Sequence, residues 1–145
     1  MNDGGFTVRM PLASGTQLGE MVLGRDTLVS HINILADSGI TYASAWFDVP
    51  LRWRHLPEAQ VLDSLWPLVV QRVSGTVVDE IGPLQTEVQE ERGAWFVNGD
   101  EIRLGVVVRV MGDRAMLMNA ATPARYFRAR EERNMLRFLN SFEKE

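Results

Sequence analysis

The chain has 145 residues and a net charge of −4, with 46% apolar and 23% charged residues. That length suits one domain on the usual scale of roughly 150 residues, the composition excludes disorder as the default state, and the acidic balance argues against nucleic acid as the main partner. With no cysteine and only His31 and His55 as histidines, a disulfide framework, a thiolate nucleophile, a thiolate metal site and a multi-histidine metal centre within one chain are all excluded.

Met1-Asn2-Asp3-Gly4-Gly5 lacks the charged start, apolar stretch and small-residue cleavage site of a signal peptide. Two readings stay open: a cytoplasmic protein, or the mature form of an exported bacterial one. Residues 6–10 alternate and stop at Pro11, as a first or edge strand does. Residues 17–23 form a weaker strand pattern. Residues 27–35 read as a strand with Leu28, Ile32 and Ile34 on one face and His31 beside Val29 and Leu35 on the other, where it is expected to be hydrogen-bonded within the sheet. Asp37-Ser38-Gly39 is a turn cluster. Residues 40–49 are rich in β-branched and aromatic types; Tyr42, Ser44, Trp46 and Asp48 share one face, and Ala43, Ala45, Phe47 and Val49 the other.

The middle of the chain is helical. Leu62, Leu65, Trp66, Val69, Val70 and Val73 form an amphipathic stripe. Either the helix begins near Pro57 and carries Pro67 inside, or Asp63 is its N-cap and Pro67 falls in the first turn; Gly75 ends it in both cases. A three-stranded antiparallel meander follows, from about residue 84 to 121, with Gly93 marking a bulge in its first strand. Asn98-Gly99 predicts a two-residue loop with Val97 opposite Asp100. Gly112-Asp113 predicts a second, with Met111 opposite Arg114, Arg109 facing Met116 and Val108 facing Leu117. A closing helix over residues 124–142 buries Phe127, Met135, Phe138, Leu139 and Phe142 and turns Arg125, Arg128, Arg130, Arg133 and Arg137 outward.

None of this supplies a catalytic constellation: phosphate loop, dinucleotide glycine fingerprint, G-x-S-x-G elbow and H-E-x-x-H are all missing. An acid–base dyad of Asp48 and His55 is conceivable, against the simpler reading of His55 as a solvated loop residue. The paired acids Asp79-Glu80, Glu90-Glu91, Asp100-Glu101 and Glu131-Glu132 read as solvated surface. The closing helix's arginines are either a solvated face or a docking patch for acidic protein, phosphate or anionic lipid. In the meander, Val106, Val108, Val110 and Leu117 are core. The opposite face carries Arg103, Val107, Arg109, Met111, Arg114, Met116 and Met118, and is either covered by a helix or open to a partner. Trp46, Trp66 and Trp95 read as core, whereas Trp53 lies in a polar stretch. The expected contact set is Arg103, Arg109, Arg114, Met116 and Met118, with Trp53 as an outlying anchor.

The layout resembles the bacterial branch of the PsbP-like superfamily, which also includes the Ran-binding nuclear import factors. The likeness rests on Gly5-Phe6-Thr7-Val8-Arg9-Met10-Pro11, on Tyr42-Ala43-Ser44-Ala45-Trp46-Phe47-Asp48-Val49-Pro50, on a helix leading to Gly75, on Arg109-Val110-Met111-Gly112-Asp113-Arg114-Ala115-Met116-Leu117 and on Phe138-Leu139-Asn140-Ser141-Phe142. Arg92-Gly93-Ala94-Trp95 stands where the family often has a glycine-arginine-glutamate element, and Met116 where a tyrosine is common. The resemblance implies an α/β/α sandwich with a central antiparallel sheet, no general catalytic activity, and a role as an accessory subunit, small-protein binder or chaperone for secreted effectors.

The expectation is therefore one PsbP-like α+β domain over residues 1–145, with a twisted, mostly antiparallel sheet flanked by helices. Its expected function is a non-enzymatic accessory or binding protein that docks a protein partner, without cofactor, metal or integral membrane segment, and with a homodimer left open. The alternatives are a chaperone for an effector's apolar segment, and a small-molecule or enzymatic role around Asp48 and His55.

Overall fold

Extended segments with alternating apolar residues need lateral hydrogen-bond partners as well as a buried face. A computed structural model describes residues 2–3, 6–7, 17–23, 26–73, 75–81, 90–99, 101–141 and 143–144. Its elements in chain order are β1 (Asn2–Asp3), β2 (Phe6–Thr7), β3 (Gln17–Leu23), β4 (Asp26–Asp37), β5 (Ile40–Asp48), α1 (Glu58–Val73), β6 (Thr76–Glu80), β7 (Glu91–Asn98), β8 (Ile102–Met111), β9 (Arg114–Pro123), α2 (Ala129–Leu139) and β10 (Glu143–Lys144). Seven strands form an antiparallel sheet in the order β3-β4-β5-β9-β8-β7-β6. Strands β1, β2 and β10 make a small sheet of their own. The fold is α+β.

Two apolar clusters hold it together. One joins Val61, Leu62, Leu65 and Val69 of α1 to Phe47, Phe96, Val106, Val108, Val110 and Leu117. The other joins Met135, Phe138 and Leu139 of α2 to Tyr42, Trp46, Trp95, Val107, Met116 and Met118. Sheet residues of the two clusters alternate along β5, β8 and β9, so the clusters lie on the sheet's two faces. Each fully buried aliphatic or aromatic side chain contributes about 1.5–3 kcal/mol, so α1's four buried residues fasten it without help from a perfect backbone.

Pro67 lies inside α1, where it deletes one helical hydrogen bond. Of the two readings the first holds: α1 begins at Glu58, and the Pro57 carbonyl just before it accepts the amides of Gln60 and Val61 at 3.0 and 3.1 Å. Asp63 is no cap. It sits exposed in mid-helix, with its carboxylate 2.9 Å from Arg92 Nη2. The closing helix is shorter than the sequence predicts, because Ala124–Tyr126 form a separate 3-10 turn before α2.

The second hairpin has the expected register, with Met111 opposite Arg114, Arg109 opposite Met116 and Val108 opposite Leu117. The first does not. Asn98 pairs with Ile102 and Val97 with Arg103, in place of the expected two-residue loop; Asp100 lies outside the described residues. Asn98 stays in the strand, Gly99 takes φ +59°, and the Glu101 carbonyl turns away to accept the Ala124 amide at 2.8 Å. Gly93 marks no bulge. It pairs in register with Val107, and a Cβ there would come within 2.9 Å of Val107 Cγ2 and 3.1 Å of the Val106 carbonyl. The ladder's irregularity lies in β6 between Val77 and Asp79, a strand the sequence did not announce. The expected first strand over residues 6–10 falls largely outside the described residues, as do residues 84–89 of the meander and Phe142 of the closing helix.

The β4–β5 turn places Ser38 at φ +52° and Gly39 at φ +82°. Nothing lies within 4 Å of a Cβ at Gly39, so substitution there meets only the left-handed backbone penalty. Gly39→Ala is expected to cost about 1 kcal/mol, measured by urea denaturation.

Candidate functional site

Antiparallel pairing carries one register row across six strands: Leu18, His31, Trp46, Met116, Arg109 and Glu91. These residues share the face on which α2 packs. Helix α2 contacts β5, β8 and β9, so it covers the middle of this row, whereas Leu18 at the β3 end is exposed.

That cover corrects the expected contact surface. Arg109 and Met118 are fully buried and Met116 nearly so, and all three are interior groups. Arg109 Nε donates to Glu91 Oε2 at 2.8 Å, Nη1 to Met118 Sδ at 3.1 Å and Nη2 to the Leu139 carbonyl at 2.7 Å. The last contact places a cation on the C-terminal carbonyls of α2, where the helix dipole is negative. Burial pulls the Arg109 guanidinium below the usual arginine range, and the Glu91 charge and hydrogen bond pull it back. Glu91, expected to be solvated, is nearly buried with it. Glu131 likewise is buried rather than solvated.

The remaining members of the expected set do not converge. Arg103 is half-buried, with its guanidinium 4.8 Å from the Phe127 ring centre and 5.6 Å from that of Trp95. Arg114 lies at the far end of the same strand pair. Trp53 is half-buried against the α1-side cluster, away from the face of Arg109. Among the described residues no hydrogen bond joins Asp48 to His55; Asp48 Oδ1 instead lies 3.4 Å from Arg114 Nε, and His55 is an exposed turn residue.

The uncovered half of the α2 face has a different character. Leu18, Val29 and Val22 are 71%, 62% and 56% exposed. Leu18 and Val22 are four apart on β3, and Val29 pairs with Glu20 between them, so all three project from the same face of the outermost hairpin. Beside them His31 stacks on Trp46, ring centres 3.7 Å apart and planes within 1°. The Arg114 guanidinium lies 4.4 Å from the Trp46 ring centre, a cation–π arrangement. The result is an aliphatic strip bordered by an aromatic–arginine stack and the Asp48 carboxylate. Three large aliphatic groups held in water on a flat strand pair suit contact with another apolar surface. Among the described residues no group of three or more His, Cys, Asp or Glu side chains converges, and no helix is long and apolar enough to cross a membrane.

Leu18, Val22 and Val29 were missed by the sequence reading. Their alternation with Gly19, Met21 and Leu28 was visible, but alternation says only that a strand has two faces and not which of them a helix will cover. Comparison with protein-family profiles, curated proteins and solved structures returned no match.

Proposed function

We propose that this chain is a non-enzymatic accessory protein that docks a protein partner on the β3–β4 half of its α2 face. The observation that carries this reading is the exposed strip of Leu18, Val22 and Val29. Isolated apolar residues on a surface are ordinary, but three on one face of an outermost hairpin, grouped around Glu20, invite association. Arg114 at its border, 42% exposed in its side chain, is of a residue type that anchors interfaces. Strand β3 also has no neighbour on its outer side among the described residues of the main sheet, so strand addition by the partner is available as well. An α/β/α sandwich of the PsbP-like kind is the proposed architecture, supported by the two clusters with one helix in each.

The test compares immobilised wild type with the Leu18→Glu/Val29→Glu double variant in native extract, with circular dichroism as a check on folding. Both side chains are more than half exposed, so each change is expected to alter stability by no more than about 0.5 kcal/mol. The wild type is expected to retain a defined protein that the variant does not. Equal retention by the two would refute the surface, and turnover of a metabolite by the purified protein would refute the non-enzymatic role.

A further inference from the structure

A cleft of about 440 Å³ opens between the β4–β5 turn and the start of α2, lined among others by Ser38, Arg125, Tyr126, Arg128, Arg130 and Glu131. It is distinct from the strip just described. Arg125 and Arg128 form no ion pair among the described residues. The Arg125 guanidinium lies 4.8 Å from the Tyr126 ring centre. The carboxylate in the lining is already engaged: Glu131 Oε1 accepts the Arg128 amide at 3.1 Å, and Oε2 accepts Arg130 Nε at 3.0 Å. Burial pushes the Glu131 carboxyl up, but the hydrogen bonds from the Arg130 side chain and Arg128 backbone, with the Arg130 charge, outweigh it and hold it below the usual range. Asp37, next to Ser38, accepts the Ser38 hydroxyl at 3.3 Å. The cleft thus holds positive charge beyond what its own carboxylates neutralise, within a chain of net charge −4.

Arg128 is the N-cap of α2 and Arg130 its second helical residue, where the helix dipole disfavours cations. Glu131 and Glu132 in the first turn offset this, and Glu131 completes a capping box by accepting the Arg128 amide. An anion in the cleft would meet Arg125 and Arg128, the lining guanidinium groups that Glu131 does not pair.

We infer that this cleft binds the phosphoryl group of a small organic phosphate. A phosphoryl group offers three acceptor oxygens and a charge approaching −2, which suits several guanidinium groups better than a carboxylate does. The cleft is larger than a phosphate ion and falls in the range of small-molecule sites, and the Tyr126 ring, 56% exposed, offers the rest of the ligand a flat face.

The test is a titration by calorimetry, at constant ionic strength, with inorganic phosphate, phenyl phosphate and acetate. Wild type is expected to bind phenyl phosphate saturably at millimolar concentration or below, inorganic phosphate more weakly, and acetate not at all. The Arg125→Gln/Arg128→Gln variant is expected to bind phenyl phosphate at least about tenfold more weakly, since a charge-assisted hydrogen bond commonly carries that much. Arg128→Ser separates loss of the site from loss of the fold: serine is the better N-cap, so its Tm is expected to match or exceed wild type while phosphate binding falls. Absence of saturable phosphate binding by wild type, equal binding by the folded variants, or acetate binding as tight as phosphate would overturn the inference.

Discussion

Arg109→Ala is expected to lower the unfolding free energy by about 3–5 kcal/mol, the usual cost of removing one partner from a buried ion pair, measured by urea denaturation. The alanine leaves the nearly buried Glu91 carboxylate without its cation and the Leu139 carbonyl without its donor. It also opens a void between β8 and the C-terminal end of α2. The loss is not evidence that the pair itself stabilises the protein. Arg109→Met/Glu91→Leu removes both charges while filling the space with apolar atoms, and is expected to recover most of the stability. A double variant as unstable as the single one would show that Arg109 acts through its shape and its bond to α2 rather than through Glu91.

Phe138→Ala is expected to cost a similar amount, about 3–5 kcal/mol, the range for truncating a buried aromatic. Phe138 is 3% exposed and meets the Tyr42 ring edge-on, with centres 5.0 Å apart and planes at 63°. Helix α2 has few other anchors, since its buried residues besides Phe138 are Glu131, Met135 and Leu139. Phe138 precedes Leu139, the residue whose carbonyl receives Arg109, so the two substitutions disturb one contact. Their costs in a double-mutant cycle are expected to sum to more than the double variant shows. Additive costs would mean that α2 docks through its apolar residues independently of the guanidinium.

Much of the second half of the chain was legible in advance because its signals are local. Gly112-Asp113 sets the β8–β9 register through turn geometry, and the register then places Arg109 opposite Met116. The same logic failed at Asn98-Gly99, where the Glu101 carbonyl finds a partner in Ala124, beyond the reach of any two-residue turn rule. At α1 the interior proline was tolerated because packing on the sheet outweighs one missing hydrogen bond, which helix propensity alone does not weigh.

The candidate sites divide in the same way. The arginines of the closing segment announced a positive patch, and the cleft of Arg125, Arg128 and Arg130 is part of it. The Arg-Met face of the meander read as either a contact surface or a face under a helix, because methionine is adaptable and arginine is enriched at interfaces. Its burial depends on a glutamate from β7 and a carbonyl from α2 meeting it across the fold.

By itself the sequence determined an α+β protein without cysteine chemistry: the alternation, turn residues and helical stripes that specify elements are written within a few residues of one another. The tertiary structure alone decided which half of the sheet face α2 covers, which arginine is interior and where apolar side chains stay in water. Those outcomes depend on contacts between segments far apart in the chain, and a linear pattern states that a strand has two faces without stating what lies on either.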